Sequence, residues 1–244
     1  MDALAGARRV SVPSERLARW LDGFAERHGL VLAESGADVV TFTGADGARA
    51  WIEVAFPPLL PPAPAAGDPG EVAARLVEHS LRRRRIGVLL VRRGGYAAGV
   101  FLGADLIDSK VGSSYVQGTT KAGGWSQQRY ARRRSNQAQA AFAEAADVAV
   151  RVLLPALAPG GSSVGPGRGP GASNPGRPDP VRSGLDAVVT GGDRAAVASV
   201  LDDPRLAALK PLVTGPLLQV PDPRLRVLQA TPDQFLAVRI SLDP

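Results

Sequence analysis

The sequence predicts an α/β chain of the α+β, mixed-sheet kind. Apolar residues recur at helical spacing in two separate stretches, three strand-like runs follow one another between residues 86 and 117, and a strand, turn and helix are packed into residues 185–201. With 244 residues and 45% hydrophobic content, the chain can bury a substantial core, as one large domain or two small ones.

Residues 1–56 read as a small α+β subdomain. Leu17, Trp20, Leu21, Phe24 and His28 fall at helical intervals, Ser11 and Pro13 offer a start, and Gly29 a stop. Val39–Phe42 and Ala50–Val54 flank Gly44-Ala45-Asp46-Gly47, whose Asp-Gly pair favours a tight hairpin turn. Residues 57–70 carry prolines at 57, 58, 61, 62, 64 and 69 and read as a stiff connector.

Asp68, Pro69 and Glu71 form a helix start, with Asp as cap, Pro in the first turn and Glu three residues after the cap. The helix is expected to run to Arg85, with Arg82–Arg85 as a solvated C-terminal end where cations meet the helix dipole favourably. Ile86–Val91, Tyr96–Leu102 and Leu106–Gln117 then read as an antiparallel meander. A long helix is expected from about Ser126 to Leu154, with Phe142, Ala145, Ala149, Val152 and Leu153 on its buried face and Pro155 as its stop.

Residues 158–183, rich in glycine and proline with little to bury, are expected to be disordered. Leu185–Thr190 reads as a strand, Gly191-Gly192-Asp193 as turn and cap, and Arg194–Leu201 as a helix. Leu217–Val220 and Phe235–Leu242 are expected to complete the sheet, so that residues 71–157 and 184–244 form one domain.

Several function classes are excluded or disfavoured. There is no cysteine, which removes disulfides, thiolate metal sites and cysteine nucleophiles and agrees with a reducing, cytoplasmic setting. The only histidines are His28 and His79. Gly-x-Ser-x-Gly, His-Glu-x-x-His and phosphate-loop motifs are missing, and Gly118-Thr119-Thr120-Lys121 does not place its lysine after a glycine. Gly191-Gly192-Asp193 reads as a turn and cap rather than an anion site. Asp105, Asp108, Glu144 and Asp186 show no spacing that specifies a metal, so no metal and no cofactor is expected.

Charge is concentrated in one place. Between Asp108 and Glu144 no acid occurs, while Lys110, Lys121, Arg129, Arg132, Arg133 and Arg134 supply six positive charges, equal to the net charge of the whole chain, +6. Arg129, Arg132 and Arg133 stand at i, i+3 and i+4 in the first turns of the long helix. Cations there oppose the helix dipole at a cost of a few tenths of a kcal/mol each, which implies a partner carrying negative charge. RNA fits that partner.

Ahead of the arginines lies Gly123-Gly124-Trp125-Ser126-Gln127-Gln128. With Arg129-Tyr130-Ala131-Arg132-Arg133-Arg134, this stretch resembles the region of eukaryotic and archaeal class I peptide chain release factors where a Gly-Gly-Gln tip precedes a basic Arg-aromatic-Ala-Arg helix. It is more similar to the Vms-like release factors, and in particular to their actinobacterial branch, whose motif is Gly-x-x-Gln. Gly124-Trp125-Ser126-Gln127 has that spacing. Aligning on Arg-Tyr-Ala-Arg instead puts Trp125 directly after Gly-Gly, so Gln128 stays open beside Gln127.

The close match spans 118–137, and the order of elements from Glu71 to Leu242 is similar to the RNase H-like central domain of that superfamily. The resemblance implies a peptidyl-tRNA hydrolase that frees nascent chains from stalled large ribosomal subunits. Gln127 or Gln128 would orient the water and Gly123 and Gly124 would allow close approach. Lys121, Arg129, Arg132, Arg133 and Arg134 would contact ribosomal RNA or tRNA phosphates, with Trp125 or Tyr130 stacking on a base. No run approaches eighteen uninterrupted apolar residues and the start lacks the apolar core of a secretion signal, so a cytoplasmic protein acting away from membranes is expected; the oligomeric state is left open, with a monomer favoured. Two other readings stay in view: a non-catalytic ribosome- or RNA-binding protein, and a metal-dependent nuclease acting on the tRNA end.

Overall fold

The structure, a computed structural model, describes residues 7–59, 66–113, 126–158 and 184–243, with backbone alone at 31, 66 and 126–138. The chain divides into two compact units, one of Met1–Arg82 with Pro232–Pro244, the other of Arg83–Thr231. Both are mixtures of helix and sheet, as the α+β reading requires.

In the first unit, helix α1 (Leu17–His28) buries Leu17, Leu21 and Phe24 at i, i+4 and i+7, and Gly29 ends it in the left-handed conformation at φ 62°. Strands β1 (Arg8–Val12), β2 (Leu30–Ser35), β3 (Val39–Gly44), β4 (Arg49–Glu53), β5 (Ala66–Gly67) and β10 (Val238–Leu242) form an antiparallel sheet in the order β1-β10-β4-β3-β2-β5. The β3–β4 hairpin turns at Asp46-Gly47, with Gly47 at φ 88°. Alternation along β3 and β4 sends Val40, Phe42, Ala50 and Ile52 into the core. They meet Leu17, Leu21 and Phe24 of α1, and Val72 and Leu76 of helix α2 (Pro69–Leu81). Asp68 caps α2 by accepting from the Glu71 N–H at 2.9 Å.

The second unit is built on a four-stranded sheet in the order β8-β7-β6-β9, where β6 is Arg85–Arg92, β7 Gly95–Leu102, β8 Asp105–Gly112 and β9 Ala187–Gly192. The first three form the expected antiparallel meander, and β9 runs parallel to β6. Helix α3 (Ser126–Leu157) and helix α4 (Arg194–Leu201) pack over it together with a 3₁₀ segment, Pro204–Leu212. Short helices α5 (Leu225–Gln229) and α6 (Pro232–Phe235) lead back to β10.

Five expectations are corrected. The end of the Pro-rich connector is not merely a spacer, because Ala66–Gly67 pairs with β2 as an edge strand. Helix α2 stops at Leu81, not Arg85. Arg82 is already extended (ψ 123°), and Arg84 and Arg85 are buried, because strand pairing begins there: the Arg85 N–H donates to Asp186 Oδ2 at 2.7 Å and the Asp186 N–H returns to the Arg85 carbonyl at 2.8 Å. Pro155 lies inside α3, which continues to Leu157; a proline in the last turn forfeits only one internal hydrogen bond.

Leu217–Val220 is not a strand. Pro216 and Pro221 flank it, and Leu218 makes a single parallel bridge to Gly191. The terminal strand, expected in the second sheet, instead lies in the first unit between β1 and β4, where Val238 and Ile240 are buried. The segment expected to be disordered falls, from residue 159 to 183, outside the described residues.

Candidate functional site

Helix α3 has 32 residues and is therefore about 48 Å long. Its C-terminal part is embedded: Ala145, Ala146, Ala149, Val152, Leu153 and Ala156 are buried, at spacings that make one continuous face. The alanines let the helix lie close to the sheet. Toward its start, Gln139 and Ala140 are exposed. The backbone stays helical to Ser126, so Gln127 is carried about 25 Å along the axis beyond Glu144.

The structure thus places Gln127, Gln128, Arg129, Tyr130, Arg132, Arg133 and Arg134 in the first turns of α3. Lys121, Gly123, Gly124 and Trp125 lie outside the described residues, as does Gly118-Thr119-Thr120-Lys121.

Where β8 leaves the sheet toward this segment, the packing has features that residue spacing did not disclose. Tyr96 of β7 is the register partner of Gly112, the last residue of β8. Its ring covers the glycine, and a Cβ at 112 would overlap ring carbons and hydroxyl. The Tyr96 hydroxyl donates to Glu144 Oε2 of α3 at 3.1 Å. Burial, and next the hydrogen bond to Glu144, raise the Tyr96 pKa above its usual value, so the hydroxyl remains a donor. One side chain therefore ties the end of β8 to α3.

A second tie is the Arg205 guanidinium, which bridges Asp147 of α3 at 2.8 Å and Asp203 at 2.7 Å. The hydrogen bond to Asp203, then that to Asp147, raise the arginine pKa further, and the same Arg205 contact lowers that of Asp203. A sequence signal for Tyr96 exists in retrospect: a tyrosine buried in a strand needs a polar partner for its hydroxyl. Nothing local in sequence pairs it with a glycine on the next strand.

Three of the four carboxylates weighed for metal chemistry go to separate partners. Asp105 pairs with Arg83 at 2.7 Å, Asp186 accepts from the Arg85 backbone, and Glu144 accepts from Tyr96. Among the described residues, no three His, Asp or Glu side chains converge as metal ligands would. The start of α4 is closed by its own residue, as the turn-and-cap reading expects: Asp193 accepts from the N–H groups of Ala195 at 3.0 Å and Ala196 at 3.4 Å. The two histidines are structural, His28 Nδ1 lying 2.8 Å from Asp46 Oδ2 and His79 Nε2 2.9 Å from the Ala55 carbonyl. Among the described residues, no helix is long and apolar enough to cross a membrane.

No curated protein matches the sequence. The family profile described as Actinobacteria/chloroflexi VLRF1 release factor matches residues 84–241, which is more than half of the chain and takes in the second unit's sheet, all of α3 and most of strand β10. The chain therefore belongs to the Actinobacteria/chloroflexi VLRF1 release factor family, and its role is a release-factor role at the ribosome.

Proposed function

We infer that the protein hydrolyses peptidyl-tRNA and so frees nascent chains from stalled large ribosomal subunits. The observation that carries the reading is the spacing Gly124-Trp125-Ser126-Gln127 at the head of a helix whose first turns are basic and whose far half is embedded, in a chain of release-factor family. The sheet order β8-β7-β6-β9, with β9 parallel to β6 and further parallel bridges from Val213 and Leu218 to β9, supports an RNase H-like reading of the second unit.

The chemistry asks little of the protein. An aminoacyl ester is already labile, and attack by water needs orientation and some relief of charge on the carbonyl oxygen. A neutral amide offers a donor and an acceptor on one planar group, so Gln127 can hold the water and exclude unproductive geometries. Gln128 is the second candidate for that role. Gly123 and Gly124 allow a backbone to approach closely in a narrow RNA-walled site. Lys121, Arg129, Arg132, Arg133 and Arg134 meet phosphates, whose charge offsets the unfavourable dipole interaction at the start of α3, while Trp125 or Tyr130 stacks on a base. No cofactor or metal enters this scheme, and the setting is cytoplasmic.

Release of peptide from purified stalled large subunits tests the proposal. Gln127→Ala is expected to lower the rate roughly 10²–10³-fold, by analogy with loss of one oxyanion-hole donor. The profile between about pH 5 and 9 should show no protein-derived pKa, since glutamine does not titrate. If Gln127→Ala, Gln128→Ala and the double variant all release peptide as fast as the parent, the proposal fails.

A further inference from the structure

A groove of about 590 Å³ lies in the first unit, between the end of β1 and one face of α1. Arg16, Arg19, Trp20, Gly23 and Arg27 line it, at positions that recur on a single side of the helix. No acid lines the groove, Glu15, Asp22 and Glu26 lying on the flank of the helix beyond Arg19, while Leu17, Leu21 and Phe24 form a third stripe, which is buried. Positive charge is thus sorted onto the groove. None of the three arginines forms an ion pair with a described residue, whereas Arg75, Arg83, Arg205 and Arg239 all do.

Two further features are hard to explain by stability. Arg16 is the N-cap of α1 without a side-chain cap and Arg19 follows in the first turn, where both oppose the helix dipole, although Glu15 stands just before them in the 3₁₀ turn Ser14–Arg16 that leads into α1. Gly23 sits mid-helix, at a cost of about 1 kcal/mol relative to alanine. Its missing side chain meets only the Arg27 Nη1 atom, 3.5 Å from where a Cβ would stand, so no tight packing demands it. What the glycine does is open the floor of the groove between Arg19 and Arg27. Trp20 forms the wall, half-buried, with one face stacked on Phe24 at 5.7 Å and 14°.

We propose that this groove binds single-stranded RNA, as a second RNA contact separate from the start of α3. The three arginines extend over about 16 Å of helix, a length of a few nucleotides of backbone, and Trp20 supplies an aromatic platform for a base. Arg9, exposed two residues before Ser11 on the same side of β1, lengthens the positive strip. The choice of RNA over other polyanions rests on the release-factor family of the chain, not on its ester chemistry.

Binding of a labelled oligouridylate to the full chain, measured across salt concentrations, tests this. Neutralising Arg16, Arg19 and Arg27 together to Gln is expected to weaken binding at least about tenfold and to flatten the log–log salt slope by about 2, at about 0.7 per phosphate contact. The loss should persist when Arg129, Arg132, Arg133 and Arg134 are already neutralised. Gly23→Leu, which favours the helix while filling the groove, should fold and bind less well. Oligouridylate carries no aminoacyl ester, so failure of hydrolysis and failure of the groove are seen separately. Parental affinity and salt slope in the triple variant, or an equal loss toward heparin and RNA with Gly23→Leu unaffected, would overturn the assignment.

Discussion

The contact between Tyr96 and Gly112 can be perturbed by a single methyl group. Gly112→Ala places a Cβ inside the Tyr96 ring, so either the ring or the end of β8 must move. Tyr96 is only 8% exposed, and its hydroxyl is held by Glu144 at 3.1 Å; moving the ring therefore costs packing and the hydrogen bond together. Overpacking of this sort costs about 1–3 kcal/mol, and the hydrogen bond contributes about 1 kcal/mol, so the expected loss is about 2–4 kcal/mol. At about 2–4 °C per kcal/mol for a domain of this size, the midpoint should fall by roughly 5–15 °C.

Thermal and urea unfolding followed by circular dichroism measure the loss, and a double-mutant cycle assigns it. Tyr96→Leu removes the ring that the new methyl strikes, so Gly112→Ala should cost far less in that background, with a coupling of at least about 1 kcal/mol. Tyr96→Phe, which removes the hydroxyl alone, should cost about 1 kcal/mol, because Glu144 stands exposed and returns to water. If Gly112→Ala is as stable as the parent within about 0.5 kcal/mol, or if the two losses simply add, the clamp at the base of the segment does not exist as described.

Two further outcomes follow from local geometry. Asp193→Ala leaves the N–H groups of Ala195 and Ala196 without their cap and should destabilise the second unit by about 1 kcal/mol in urea unfolding, while Asp193→Asn should recover most of that. Asp46 has its pKa lowered from 3.8 by the hydrogen bond from His28 first and from the Ala48 N–H next. A depressed carboxylate pKa stabilises the folded state above the ordinary value, and that contribution is lost as pH falls through the lowered one. Asp46→Asn should thus be less stable than the parent at neutral pH, and the gap should close below about pH 4; a gap that widens in acid would refute the assignment.

Elements whose determinants are local were legible in the sequence. Helix α1 is set by Leu17, Leu21 and Phe24 with Gly29 at its end, the β3–β4 hairpin by Asp46-Gly47, and the starts of α2 and α4 by Asp68 and Asp193. What escaped depends on partners remote in the chain. Arg84 and Arg85 look like a helix end until Asp186 pairs with the Arg85 backbone, and the apolar alternation of Val238–Leu242 does not say which sheet receives it. Of the candidate site, the helix that carries Gln127 through Arg134 was readable from the apolar spacing of Phe142, Ala145, Ala149, Val152 and Leu153 farther along it. Its base was not, because a glycine that accommodates a ring from the neighbouring strand has no signature in its own neighbourhood.

The position of β10 between β1 and β4 bears on the order in which the molecule can assemble. Val12 pairs with Val238, so the first unit's sheet acquires an interior strand only after the whole of the second unit has been synthesised. Arg83–Thr231 is contiguous and can fold as soon as it emerges, whereas the preceding strands wait with open edges, β1 and β4 lacking the neighbour that will lie between them. Closing so distant a pair carries an entropic cost that grows only slowly with loop length, and a folded second unit shortens the effective loop. The first unit's sheet can therefore close only after the inserted unit has been made.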